Sequence, residues 1–102
     1  MTIDDERKAA GNAQAILSTL TPATPRTDAL VHSLRVAASA ATNAGNQNLS
    51  SDSALNNARG EAATVLNGVA GLLHRGELTR EMIYRARSAV AAWLLALDVQ
   101  GG

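Results

Sequence analysis

Histidine serves both acid–base catalysis and metal ligation, so His32 and His74 are the first residues to weigh. Neither has a second histidine at helical spacing. His32 falls opposite the Leu30 and Leu34 face of its segment, and His74 closes a helical run, where a cation meets the negative end of the helix dipole. Surface or capping positions account for both. The carboxylates form two groups, Asp4, Asp5 and Glu6 at the start of the chain, and Glu77 and Glu81 one turn apart. The first group suits the opening turn of a helix, and the second lies among Arg75, Arg80 and Arg85 as exposed pairs worth little each. A general acid needs a desolvated pocket to move its pKa, and the sequence offers no sign of one.

Nucleophile and phosphate chemistry fare no better. No serine sits in a glycine-flanked elbow, and "NGVAGLLHRG" matches neither a P-loop nor a dinucleotide fingerprint, since its glycines fall within a helical pattern with no strand before it. The chain has no cysteine, which removes disulfides, thiolate metal sites and thiol nucleophiles together. The expectation is a protein that is not an enzyme, with no cofactor and no metal. One nucleic-acid reading stays open. "LLHRGELTREMIYRAR" has a glycine turn followed by arginines, and Arg75, Arg80, Arg85 and Arg87 would serve as phosphate contacts. Against it, Glu77 and Glu81 offset that charge, the last helix is long for a recognition helix, and nine acids balance nine bases overall.

The elements that must position these residues follow from period and punctuation. Thr2 ahead of "IDDE" offers a helix cap, after which Ala9, Ala10, Ala13, Ile16, Leu17 and Leu20 repeat at steps that share one face. Thr24 before Pro25 predicts a second start, with Leu30, Val31, Leu34, Ala37, Ala38 and Ala41 on one side and Gly45 as a left-handed stop. "GNQNLSSDS" reads as a connector. A third helix places Leu55, Ala58, Ala62, Val65, Leu66, Val69, Leu72 and Leu73 together and ends at "HRG"; Thr79 then caps a fourth, with Leu78 and Ile83 as a hydrophobic staple. The expected helices are 3–20, 25–44, 51–75 and 79–98 of a single domain. No period-two alternation persists, so the fold class is all-α, a compact four-helix bundle or a pair of antiparallel helical hairpins.

Two surfaces remain unexplained by that core. On the third helix Gly60, Thr64, Gly68 and Gly71 leave a small, uncharged face; each interior glycine costs up to about 1 kcal/mol against alanine. Such a face either admits another helix at close range or lies in solvent. On the fourth helix, "SAVAAWLLALDV" carries no charge until Asp98. If Met82, Ile83, Ala86, Val90, Trp93, Leu94 and Leu97 face the core, a second stripe of Arg80, Tyr84, Arg87, Ser88, Ala91 and Leu95 is left over. Tyrosine and arginine beside alanine and leucine is the composition of an interface. Either another chain covers that stripe or other helices of the same chain do.

Composition favours a partner. Hydrophobic residues make up 46% of the 102, but nearly half of these are alanine, and there is one Trp, one Tyr and no Phe. A core so thin in volume gains from a subunit contact. The expectation is a small adaptor or inhibitor that occupies the surface of a protein partner and forms a homodimer. A nucleic-acid-binding regulator and a structural assembly subunit are the alternatives. The opening residues do not read as a signal peptide and the Ala89–Leu97 run is too short to cross a bilayer, so a cytoplasmic protein without a membrane role is expected.

Overall fold

Cap chemistry at Thr2 sets the first helix. Its hydroxyl accepts from the Asp5 N–H at 3.1 Å, while the Asp5 carboxylate accepts from the Thr2 N–H at 3.3 Å, a reciprocal capping box that satisfies two backbone donors. The computed structural model describes residues 2–47 and 53–101. It has four helices, α1 (Ile3–Thr19), α2 (Asp28–Gln47), α3 (Ser53–Arg75) and α4 (Arg80–Gly101), with no strand among the described residues. The chain is an all-α four-helix bundle measuring 39 × 21 × 18 Å.

The second helix begins later than the proline predicts. Thr24 folds back instead of capping forward: its hydroxyl accepts from the Thr21 N–H at 2.8 Å and its own N–H donates to the Thr21 carbonyl at 3.0 Å. That turn consumes the group a cap at residue 24 would need. Thr27 takes the role, accepting from the Leu30 N–H at 3.1 Å, and the first helical bond runs from Val31 to the Thr27 carbonyl. Gly45 does not end α2, which continues to Gln47 with Gly45 seated against the Arg59 side chain. Of the expected connector, residues 48–52 lie outside the described residues, and so does the expected start of α3 at Ser51.

The glycine stop falls at Gly76, the one non-right-handed φ among the described residues, at +70°. There the Gly76 N–H bonds the Leu73 carbonyl and the Glu77 N–H reaches the Leu72 carbonyl at 2.8 Å, a Schellman motif that closes α3. Thr79 caps α4 by accepting from the Met82 N–H at 3.2 Å, with Leu78 and Ile83 both buried beside it. The helix continues past the expected end to Gly101.

Each helix packs on two neighbours, α1 on α2 and α4, and α3 on α2 and α4. The core is the predicted set of stripes with small changes: Ala9, Ile16, Leu30, Ala58, Leu72, Met82 and Leu94 are only partly covered, while Ala40, Ala44, Ala63, Ala70 and Ala89 are buried as well. Trp93 is the largest fully buried side chain.

Candidate protein interface on α4

Register decides which face of α4 is open. Ala86, Val90, Trp93 and Leu97 are fully buried, and helix geometry turns residues about half a turn away outward. Arg80, Tyr84, Arg87, Ser88, Ala91 and Leu95 all lie on the solvent side of the bundle. α4 packs only on α1 and α3, so no helix of the same chain covers this stripe. Tyr84 is 64% exposed and Leu95 67%, and Val99, one turn further on, is 71% exposed. Ala92 adds to the same open band.

Arg87 has a second attachment. Its Nε donates to the Leu17 carbonyl at 2.8 Å, which also accepts from the Leu20 N–H at 3.4 Å, and Nη2 donates to the Leu20 carbonyl at 3.3 Å, so the guanidinium bonds two carbonyls at the end of α1. Arg7 does the reverse at the other end, donating to the Leu97 carbonyl at 3.4 Å and lying 3.5 Å from Asp98. The antiparallel α1–α4 pair is thus laced at both ends, and Arg87 marks the edge of the open stripe rather than its centre.

The small face of α3 divides. A Cβ at Gly68 would come within 2.6 Å of the Met82 terminal methyl, the flexible end of a side chain on α4. At Gly60 a Cβ would meet nothing within 4 Å, and at Gly71 only the Arg75 guanidinium at 3.8 Å. Thr64 is exposed. Of Gly60, Gly68 and Gly71, Gly68 alone faces a side chain of another helix.

A buried polar network is absent from the sequence reading altogether. Glu6 is 0% exposed and Arg59 2%. Arg59 Nη2 donates to Glu6 Oε1 at 2.7 Å and its Nε to Oε2 at 2.8 Å, the bidentate fork that matches a carboxylate. The Trp93 indole N–H donates to the same Oε2 at 2.8 Å. Three helices meet in this cluster, and Arg59 spans the diagonal between α1 and α3, which share no backbone contact. Asp4, Asp5 and Glu6 all fall in the first turn of α1, as a helix start favours, and Glu6 alone of them is buried. Glu6 and Trp93 are fully covered, and Arg59 alone of the three borders an open groove, beside Gly45, Asn46, Asn56 and Gly60.

The titratable surface is dispersed. Asp28 lies one turn before His32 but pairs with Arg26 at 3.1 Å, and Glu77, near His74, pairs with Arg75 at 3.2 Å. Among the described residues no three His, Asp or Glu groups gather as a metal site would need, and no helix is long and apolar enough to cross a membrane. The backbone N–H of Thr2, followed by its hydroxyl, holds the Asp5 carboxyl below its ordinary value of 3.8. An open groove of about 440 Å³ between α1 and α2 is lined by Ile16, His32 and Val36 among small residues.

Comparison with protein-family models, curated proteins and solved structures finds no match. The surface of the chain is therefore the ground for a functional reading. Of the four arginines at 75, 80, 85 and 87, Arg75 is paired with Glu77 and Arg87 with the α1 carbonyls, while Arg80 and Arg85 are exposed. The uncharged band from Ser88 to Leu95 is the surface feature that the core leaves without a role.

Proposed function

We propose that this chain is a small non-enzymatic protein-interaction module, an adaptor or inhibitor that works as a homodimer and meets its partner copy through the outward face of α4. The observation that carries the reading is the open band of Tyr84, Ser88, Ala91, Ala92 and Leu95 on a helix whose inner face is already packed. Exposed large apolar side chains scattered singly are ordinary, but here Tyr84, Leu95 and Val99 lie in line with small residues between them, a surface that another helix can cover. Leu95 and Ala91 supply the dry centre, and Arg80 and Tyr84 the polar rim.

Light scattering after size exclusion across a concentration series tests this. The wild-type chain is expected near twice 10.5 kDa, and Leu95→Glu near 10.5 kDa with its far-UV circular dichroism unchanged. A wild-type monomer at every concentration, or a Leu95→Glu variant that remains dimeric, would count against the reading. Steep weakening of nucleic-acid binding with salt would instead favour Arg75, Arg80, Arg85 and Arg87 as phosphate contacts.

A further inference from the structure

The outward face of α4 has an internal symmetry. Glu81, Tyr84, Ser88, Ala91, Leu95 and Asp98 follow one another at steps of three, four, three, four and three, a helical seam with a midpoint between Ala89 and Val90. Reversing the helix about that midpoint exchanges Tyr84 with Leu95, Ser88 with Ala91, and Glu81 with Asp98, the two acids lying on opposite edges of the seam. Large residues thus oppose large ones, and the two smallest meet at the centre, where two helices cross closest.

Charge selects the direction. Arg80 and Asp98 lie five turns apart on the same edge of the seam, Asp98 67% exposed in its side chain. In a parallel pair each would stand beside its own copy, and the Arg80–Arg85–Arg87 ends, offset only by Glu81, would lie together. In an antiparallel pair Arg80 of each copy approaches Asp98 of the other, and the two helix dipoles oppose. α1 and α3 both pack on the side of α4 that carries Ala86, Val90, Trp93 and Leu97, and α1 reaches the seam only at its end, where Arg7 lies 3.5 Å from Asp98 and leaves that side chain 67% exposed.

Resting on the homodimer reading, we infer that two copies of this chain pack α4 against α4 in antiparallel fashion, about a two-fold axis passing between Ser88 and Ala91. The interface is isologous, as a two-fold axis requires, and its ends are closed by Arg80–Asp98 pairs.

Disulfide trapping reads the arrangement directly, since the chain has no cysteine and an introduced thiol is unique. Ser88 lies 1.5 residues from the axis, so its two copies are offset by about 4.5 Å along the helices, and closely packed helices bring their Cα atoms to about 5–6 Å. A disulfide spans that distance. Leu95 is 5.5 residues from the axis, and its two copies stand about 16 Å apart, beyond any disulfide. The expected result under mild oxidation, read on a non-reducing gel, has three parts. Ser88→Cys links to itself, Leu95→Cys alone does not, and an equimolar mixture of Tyr84→Cys with Leu95→Cys gives a linked pair that neither gives alone. Self-linking of Leu95→Cys would overturn the antiparallel arrangement and leave the homodimer intact. A dimeric mass with none of these links would place the contact on another face. A monomeric mass for the wild-type chain would remove the homodimer reading itself, so the two failures are told apart by light scattering on the same samples.

Discussion

Removing two partners together from the Glu6–Arg59–Trp93 cluster should cost less than the sum of removing each alone. With both charges buried and their distances at 2.7 and 2.8 Å, Arg59→Met leaves the Glu6 carboxylate in the core with only the indole N–H, and Glu6→Leu removes two acceptors from the guanidinium and one from the indole at once. Breaking a buried pair in this way costs about 3–5 kcal/mol, against a total stability on the order of 5–15 kcal/mol for a domain of this kind. The thermal midpoint should fall by roughly 12 °C or more in each single variant. The double variant Glu6→Leu/Arg59→Met keeps an apolar filling and leaves the indole N–H behind. It should therefore lie above the additive expectation, with a coupling of about 1–3 kcal/mol. Urea unfolding followed by far-UV circular dichroism, and separately by the fluorescence of the one tryptophan, measures all four corners of the cycle. Single variants that lose less than about 1 kcal/mol would mean that water reaches the pair, and strict additivity would mean that the three groups do not act together; either would refute the reasoning.

Two further perturbations follow from backbone geometry and from Asp5. Gly60→Ala, with nothing within 4 Å of the new methyl on a helical backbone, should stabilise by about 0.5–1 kcal/mol, whereas Gly76→Ala, at φ +70°, should destabilise by about 1–2 kcal/mol; urea midpoints that move in the opposite senses would show the caps misassigned. Asp5 has a folded-state pKa below 3.8, so its contribution is present above that ordinary value and is lost as pH falls through the lowered one. Asp5→Asn should thus narrow its gap to the wild-type chain as the solution is acidified below pH 3.8, and a gap that widens on acidification would reverse the sign.

How far the sequence spoke depended on whether residue type and position agreed. Leu17, Leu34, Leu66 and Leu97 were legible because apolar type and helical period point the same way. Thr24 and Gly45 misled because each carries a good local signal that a nearby hydrogen bond or packing contact overrides: Thr21 takes the hydroxyl of one, and the Arg59 side chain packs against the other. Glu6 and Arg59 were illegible by type, since charged residues are read as surface. Their positions held the signal. Glu6 precedes Ala10, Ala13 and Leu17 at steps of four, three and four, and Arg59 falls between Leu55 and Ala62 at four and three, so each stands on a core stripe. The α4 stripe was legible because its composition departs from that of a solvent face. What covers it depends on a second surface that one chain's spacing does not encode.

The α1–α4 contact also has a meaning in time. Glu6 and Trp93 are separated by 87 positions, so the ring of helices is closed by the first and the last of the four to be made. The α2 and α3 stripes can meet across a short connector while the chain is still growing, but Ala10, Ala13 and Leu17 have only part of their neighbours until α4 has left the ribosome. The largest loop-closure entropy among the helix contacts falls due in that step, when α1 is captured by a helix made long after it.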